Sequence, residues 1–158
     1  MTEPLTRPWQ KDRNEYLEGF TREQADNYLQ PGLEFQKKLV KAFVDAGVPV
    51  LAGTDAGIPI VVPGFSLHLE LVELVEAGMT PYQALAAATT GAAKLLGIQD
   101  TTGTIAPGVR ADLILLKANP LEDIRNTQRR AGVVVNGRWM DEKTVNEMLE
   151  ELRVAAAN

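Results

Sequence analysis

The chain has 158 residues, enough for one ordinary domain with a buried core. Hydrophobic residues make up 45% and charged residues 23% of it, a balance typical of globular proteins. The 21 acidic residues outnumber the 16 Lys and Arg and give a net charge of -5. We therefore expect no nucleic-acid partner, because binding to a phosphate backbone requires a basic surface.

The counts of cysteine and histidine exclude several kinds of site. The chain has no cysteine and a single histidine, His68. Disulfides, thiolate nucleophiles and zinc–thiolate sites are therefore excluded. A catalytic zinc site usually takes three protein ligands, rich in histidine, and this chain alone cannot supply a histidine cluster.

The N-terminal residues carry no basic segment followed by an apolar one, as a secretory signal would. The apolar runs are also far shorter than the ~20 residues that span a bilayer. We expect a cytoplasmic protein with no membrane partner.

Residues 1–32 are polar and predict a long loop, interrupted by a short helix over residues 21–29. Thr21 and Gln24 have the spacing of a capping box, and Pro31 is expected to act as a breaker. Apolar residues then recur at helical spacing up to Gly47, a predicted C-cap. Residues 48–52 follow as a continuously apolar strand of the kind buried on both faces.

Two further helices are predicted before residue 90. The first begins near Ser66, which suits an N-cap, and ends at Gly78. The second begins at Thr80, with proline next and Gln83 completing a capping box. Residues 92–96 add another helical turn or two.

The pattern changes near residue 100, where short strands replace helices. Strands are predicted over residues 104–105, 111–116 and 132–135. Asn136-Gly137 predicts a tight hairpin to residues 138–140, and an amphipathic helix closes the chain. We expect three parts: an α/β part over residues 1–100, β strands over 101–140 and a helix over 141–158.

Asp55 is the leading candidate for chemistry because it follows the predicted buried strand, where α/β folds place ligands and catalytic groups. A carboxylate there can bind a metal or accept a proton from metal-bound water. The alternative is that Asp55 only caps the turn after the strand. His68, beside a polar loop, is a candidate for substrate contact or an ordinary surface histidine, and Glu70 is interpreted as a solvated helix residue.

Two common catalytic motifs are absent. The segment GFSLH at 64–68 lacks the final glycine of a nucleophile elbow, which argues against a serine triad. No glycine spacing matches a phosphate-binding loop.

Eight segments together resemble the C-terminal part of the amidohydrolase superfamily, and the closer match is to its imidazolonepropionase-like and Xaa-Pro dipeptidase-like branch. They are VPVLAGTD at 48–55, SLHLEL at 66–71, VEAGMTP at 75–81, ALAAAT at 84–89, GTIAPG at 103–108, ADLILL at 111–116, NPLEDI at 119–124 and VVVNG at 133–137. Their order and spacing carry the resemblance.

The resemblance implies an α/β fold, the C-terminal portion of a metal-dependent (β/α)8 barrel with strands of a small β-sandwich. It implies hydrolysis of C–N bonds in a small amide, dipeptide or cyclic amide, with zinc as the expected divalent metal of the full-length parent. Asp55 would be catalytic residue and metal ligand, and His68 would lie near the substrate pocket.

The family's other metal ligands, histidines and a lysine on earlier strands, have no counterpart here. We therefore expect this chain to be inactive alone and to hold zinc poorly by itself. We also expect self-association through the exposed barrel edge. Two alternatives stay open: a non-catalytic binding or oligomerisation module, and one chain of a split enzyme.

Overall fold

The computed structural model of the chain describes Gly19, residues 21–56 and residues 61–155. Predictions for residues 1–18, 20, 57–60 and 156–158 lie outside the described residues. The elements in chain order are α1 (Arg22–Asp45), α2 (Ser66–Glu76), α3 (Pro81–Ala88), α4 (Thr90–Leu95), β1 (Leu113–Leu116), a 3-10 helix (Ile124–Gln128), β2 (Arg130–Val135), β3 (Arg138–Asp141) and α5 (Glu142–Ala155). The α/β content is as expected. The described part of the chain contains one sheet, of three strands, so the barrel and the sandwich stay predictions, as do the boundaries of the three predicted parts.

Helix α1 is longer than the sequence predicted. The Thr21–Gln24 capping box is confirmed, but the helix continues through Pro31 to Asp45, so the prediction of a loop up to residue 32 was wrong. A proline inside a helix costs about 3 kcal/mol. Packing of the C-terminal half offsets this cost, because Val40 and Val44 pack against the core. The Lys37 ammonium also lies 2.9 Å from the Glu73 carboxylate of α2.

Residues 48–52 are not a strand, which corrects the sequence prediction. Within the described residues no strand runs alongside them, and a strand requires a neighbour to take its backbone hydrogen bonds. The Ala52 N–H donates instead to the Ala87 carbonyl, at 3.3 Å. The segment is still partly buried, because Val50 and Ala52 pack against the core.

The core lies between α2, α3 and the 3-10 helix. Its buried residues are Leu71, Leu74, Met79, Ala84, Ala87 and Ile124. The capping box of Thr80 and Gln83 is confirmed and fixes the start of α3. Ala84 is 0% exposed, so its small side chain lets the neighbouring elements approach closely. The core thus joins the helical part to the region after residue 100.

The start of α2 differs in detail from the prediction. The N-cap is Phe65 rather than Ser66, because the Ser66 hydroxyl accepts a hydrogen bond from the Val62 N–H at 2.9 Å and so closes the preceding turn. Helix α4 begins at Thr90, two residues before the predicted helical turn.

The sheet is antiparallel with the order β1-β2-β3. Asn136 and Gly137 have φ values of 49° and 78°, which is the pair of left-handed residues that a two-residue hairpin needs, and the hairpin prediction is confirmed. The predicted strand at residues 104–105 was wrong. Ile105 is 84% exposed there, without a paired strand among the described residues. None of the described helices is both long and apolar enough to cross a bilayer.

Candidate functional site

Asp55 lies in an irregular segment, residues 53–55, which we call the Asp55 turn. The residue is exposed, and its φ of 52° places it in the left-handed region. Few residues other than glycine adopt this conformation, and aspartate is one of those enriched there. The turn therefore presents a carboxylate to solvent on a constrained backbone.

Glu70 of α2 holds the Asp55 turn. The Gly53 N–H donates to Oε1 of Glu70 at 2.6 Å. The second oxygen, Oε2, is buried and has no hydrogen-bond partner among the described residues. The interpretation of Glu70 as a solvated helix residue was therefore wrong. Helical spacing shows which residues share a face, but it does not show that a turn 17 residues earlier returns to that face.

His68 is hydrogen-bonded on the other side of the same helix. Its Nδ1 lies 3.1 Å from the Thr127 hydroxyl oxygen. The Thr127 hydroxyl donates its one hydrogen to the Ile124 carbonyl, at 2.8 Å. Nδ1 must therefore carry the hydrogen and donate, which leaves Nε2 of the neutral ring as an acceptor.

The surroundings of His68 favour the neutral ring. Partial burial lowers the pKa of His68 below its usual range, and the nearby positive charge of Arg130 lowers that pKa further. Both causes act against the charged form.

The structure does not bring Asp55 and His68 together. Residues two apart on a helix point about 200° apart around its axis. Glu70 faces the Asp55 turn, so His68 faces the 3-10 helix instead. The two candidate residues thus belong to different faces of α2.

His68 lines a cavity of about 650 Å³ between the helices and β1. Thr104, Asp112 and Thr127 are among the polar residues that line it. Most of the wall is apolar, from residues such as Leu67, Leu71, Leu85, Ile105 and Ile114. A mostly apolar cavity with a few polar groups is the common form of a small-molecule site.

The described residues do not make up a complete metal site. Among them, no three His, Asp or Glu side chains are close enough to hold one ion. Asp55 could offer one oxygen ligand, but a zinc site needs about four. A metal at Asp55 would therefore need ligands from outside the described residues.

Residues 28–140 match the amidohydrolase family. A curated ochratoxinase from Aspergillus niger is 39% identical over 107 residues, which are 66% of this chain and 21% of that protein. An imidazolonepropionase from Deinococcus deserti is 41% identical over 88 residues, 55% of this chain and 22% of that protein.

The chain is also similar to solved structures of a dipeptidase and an amidohydrolase. A Xaa-Pro dipeptidase with methionine in its active site has a TM-score of 0.60 and 36% identity, over 66% of this chain and 25% of that one. A bottromycin amidohydrolase has a TM-score of 0.78 and 27% identity, over 99% of this chain and 34% of that one. The chain spans about a fifth of the length of these curated relatives and a quarter to a third of the solved ones.

Proposed function

Because the chain belongs to the amidohydrolase family, we propose that it is the C-terminal part of a hydrolase that cleaves C–N bonds in a small amide, dipeptide or cyclic amide. The resemblance to the imidazolonepropionase-like and Xaa-Pro dipeptidase-like branch is confirmed by relatives with those names. The relatives' names support amide-type substrates and do not choose among them.

In the proposed whole protein, residues 48–52 form the last strand of a (β/α)8 barrel, and β1 to β3 belong to a small sandwich beside it. The apolar character of residues 48–52 supports this proposal, since a barrel strand is buried on both faces. So does the position of Asp55 directly after them, because barrel enzymes carry catalytic groups at the carboxyl ends of strands.

The observation that carries the proposal is the exposed Asp55 carboxylate, held on a left-handed backbone at the end of an apolar segment. We assign Asp55 two roles, ligand to a divalent metal and acceptor of the proton from the attacking water. Zinc is the expected ion. The other ligands would come from the remainder of the parent protein, so the isolated chain is inactive.

We propose a substrate-binding role for His68. Two observations support it: His68 lines the 650 Å³ cavity, and its neutral ring keeps Nε2 available to accept a hydrogen bond. Since His68 and the Asp55 turn lie on different faces of α2, this contact would be to a part of the substrate remote from the reacting bond.

Asp55→Asn in the full-length parent tests the proposal. We expect turnover to fall to background, a loss of at least about a hundredfold, because an amide cannot take the proton that a general base accepts. Folding should be nearly unchanged, because asparagine also tolerates a positive φ. Turnover and urea unfolding are the measurements.

Asp100→Asn is the matched control, since Asp100 is an exposed aspartate in another turn. It should leave turnover unchanged. Retained turnover in Asp55→Asn would remove Asp55 from the mechanism.

A further inference from the structure

We infer that Glu70 is a positioning residue for the site, because its carboxylate holds the Asp55 turn in the conformation that presents the Asp55 side chain. The inference rests on the proposed function, in which Asp55 is the reacting carboxylate. It adds a second acidic residue with a different task, since Glu70 acts on the backbone of the turn and not on substrate.

The first support is the contact itself. The Gly53 N–H and Oε1 of Glu70 are 2.6 Å apart, and they join residues 17 positions apart in the sequence. A hydrogen bond to a charged acceptor is shorter and stronger than one between neutral groups. The donor, Gly53, lies two residues before Asp55, at the point where the segment 48–52 ends.

The second support is burial. Oε2 of Glu70 is shielded from solvent without a partner among the described residues. Burying half of a carboxylate costs free energy, which is expected only where the other half makes a valuable contact.

The third support is the backbone of Asp55. Its φ of 52° lies in a region that most residues avoid. Such conformations persist where the surroundings hold them, and they cluster at functional sites. Glu70 lies on α2, whose Leu71 and Leu74 are buried in the core, so the turn is attached to a rigid element.

The first test uses the unmodified 158-residue chain in solution. Nuclear magnetic resonance can detect a scalar coupling across a hydrogen bond, here between the Gly53 amide nitrogen and the Glu70 carboxylate carbon. We expect this coupling to be observed. A well-resolved Gly53 amide without the coupling would overturn the inference, and no variant is needed for that result.

The second test compares Glu70→Ala with Glu70→Gln. In Glu70→Ala the Gly53 amide should exchange with solvent at least about tenfold faster, since a bond to a charged acceptor is lost. The chemical shifts of Asp55 should also change in Glu70→Ala. Glu70→Gln keeps an oxygen acceptor, so its Gly53 exchange rate and Asp55 chemical shifts should be close to those of the unmodified chain.

Glu73→Ala and Glu73→Gln are the matched controls, because Glu73 lies on the same helix with its side chain 53% exposed. Both should leave Gly53 and Asp55 unchanged. The inference is contradicted if Glu70→Ala leaves the exchange rate of the Gly53 amide unchanged. It is also contradicted if Glu70→Gln speeds Gly53 exchange as much as Glu70→Ala does while the resonances of the rest of the chain are unchanged, which would show that the fold is intact. Neither readout needs turnover, so failure here is distinct from failure of the proposed hydrolysis.

Discussion

His68 joins two parts of the molecule through one hydrogen bond. Its ring, on α2, donates to Thr127 of the 3-10 helix. This bond needs the hydrogen on Nδ1, which the neutral and the charged ring both carry. Protonation of His68 therefore destabilises the folded chain because the charged ring is partly buried and lies near the positive Arg130. The hydrogen bond to Thr127 is kept.

These two causes predict a pH-dependent stability. Because the pKa of His68 is lowered on folding, the unfolded chain binds a proton first as pH falls below the unfolded value of about 6.5. The stability from the neutral ring is present above that pH and is lost as pH falls through the folded pKa. Urea unfolding between pH 8 and pH 5 measures it.

His68→Gln is the control for this effect, since glutamine can donate a hydrogen bond and does not titrate. The variant should lose the decrease in unfolding free energy between about pH 7 and pH 5. An equal decrease in the variant would assign the pH dependence to other groups.

The three residues discussed for the site differed in how far the sequence could predict them. Asp55 was found because it follows an apolar segment directly, which is a local signal. Glu70 was missed because its role depends on a contact 17 residues away, and helical spacing is equally consistent with a solvated side chain. For His68, the sequence could not show which face of α2 it occupies.

At the scale of elements, the hairpin of β2 and β3 is held by an aromatic side chain lying over a glycine. The Trp139 ring packs where a Cβ on Gly132 would lie, and the Met140 carbonyl oxygen is 2.7 Å from that position. The glycine thus leaves room for the ring of the next strand, as glycines do where another group approaches closely.

Gly132→Ala should destabilise the chain by about 1–3 kcal/mol, the usual cost of overpacking. The added methyl would meet the Trp139 ring and would lie 2.7 Å from the Met140 carbonyl oxygen, a backbone atom that cannot move away as a side chain can. Thermal or urea unfolding measures the change.

Gly32→Ala is the matched control, since Gly32 lies within α1 and a Cβ there would meet nothing within 4 Å. It should stabilise the helix, by up to about 1 kcal/mol. Equal effects of the two substitutions would contradict the packing argument.

Elements with strong local signals were predicted well. Both capping boxes follow from side chains that satisfy nearby backbone groups. The Asn136-Gly137 hairpin follows from two adjacent residues that tolerate a positive φ. Elements that depend on distant partners were not. Helix α1 passes Pro31 because its C-terminal half packs on α2, and residues 48–52 lack a described neighbour to pair with.

Within its described residues, the molecule leaves many large apolar side chains exposed to solvent. Among them are Leu95 at 72%, Leu96 at 68% and Val48 at 47% exposed. Apolar surface exposed in this way is typical of a body that packs against another.

We therefore expect the isolated chain to self-associate at micromolar concentration, through the segment 48–52, which we propose as a barrel edge and whose Val48 is exposed. Sedimentation velocity measures this. Val48→Lys should shift the distribution towards monomer, because a charge on the edge opposes pairing.

Met148→Lys, a similar change at a residue 49% exposed on α5, is the control and should have no effect. A monodisperse monomer of the unmodified chain would contradict the expectation. A shift towards monomer in Met148→Lys but not in Val48→Lys would assign the contact to α5.

Helix α2 contacts three neighbours through different faces. Glu70 bonds the Asp55 turn, His68 bonds Thr127, and Glu76 lies 3.0 Å from the Lys37 ammonium of α1. Its buried face supplies Leu71 and Leu74 to the core. Random mutagenesis should therefore find less tolerance at these positions than at exposed positions of the same helix such as Leu69, since each of them contacts a different part of the molecule.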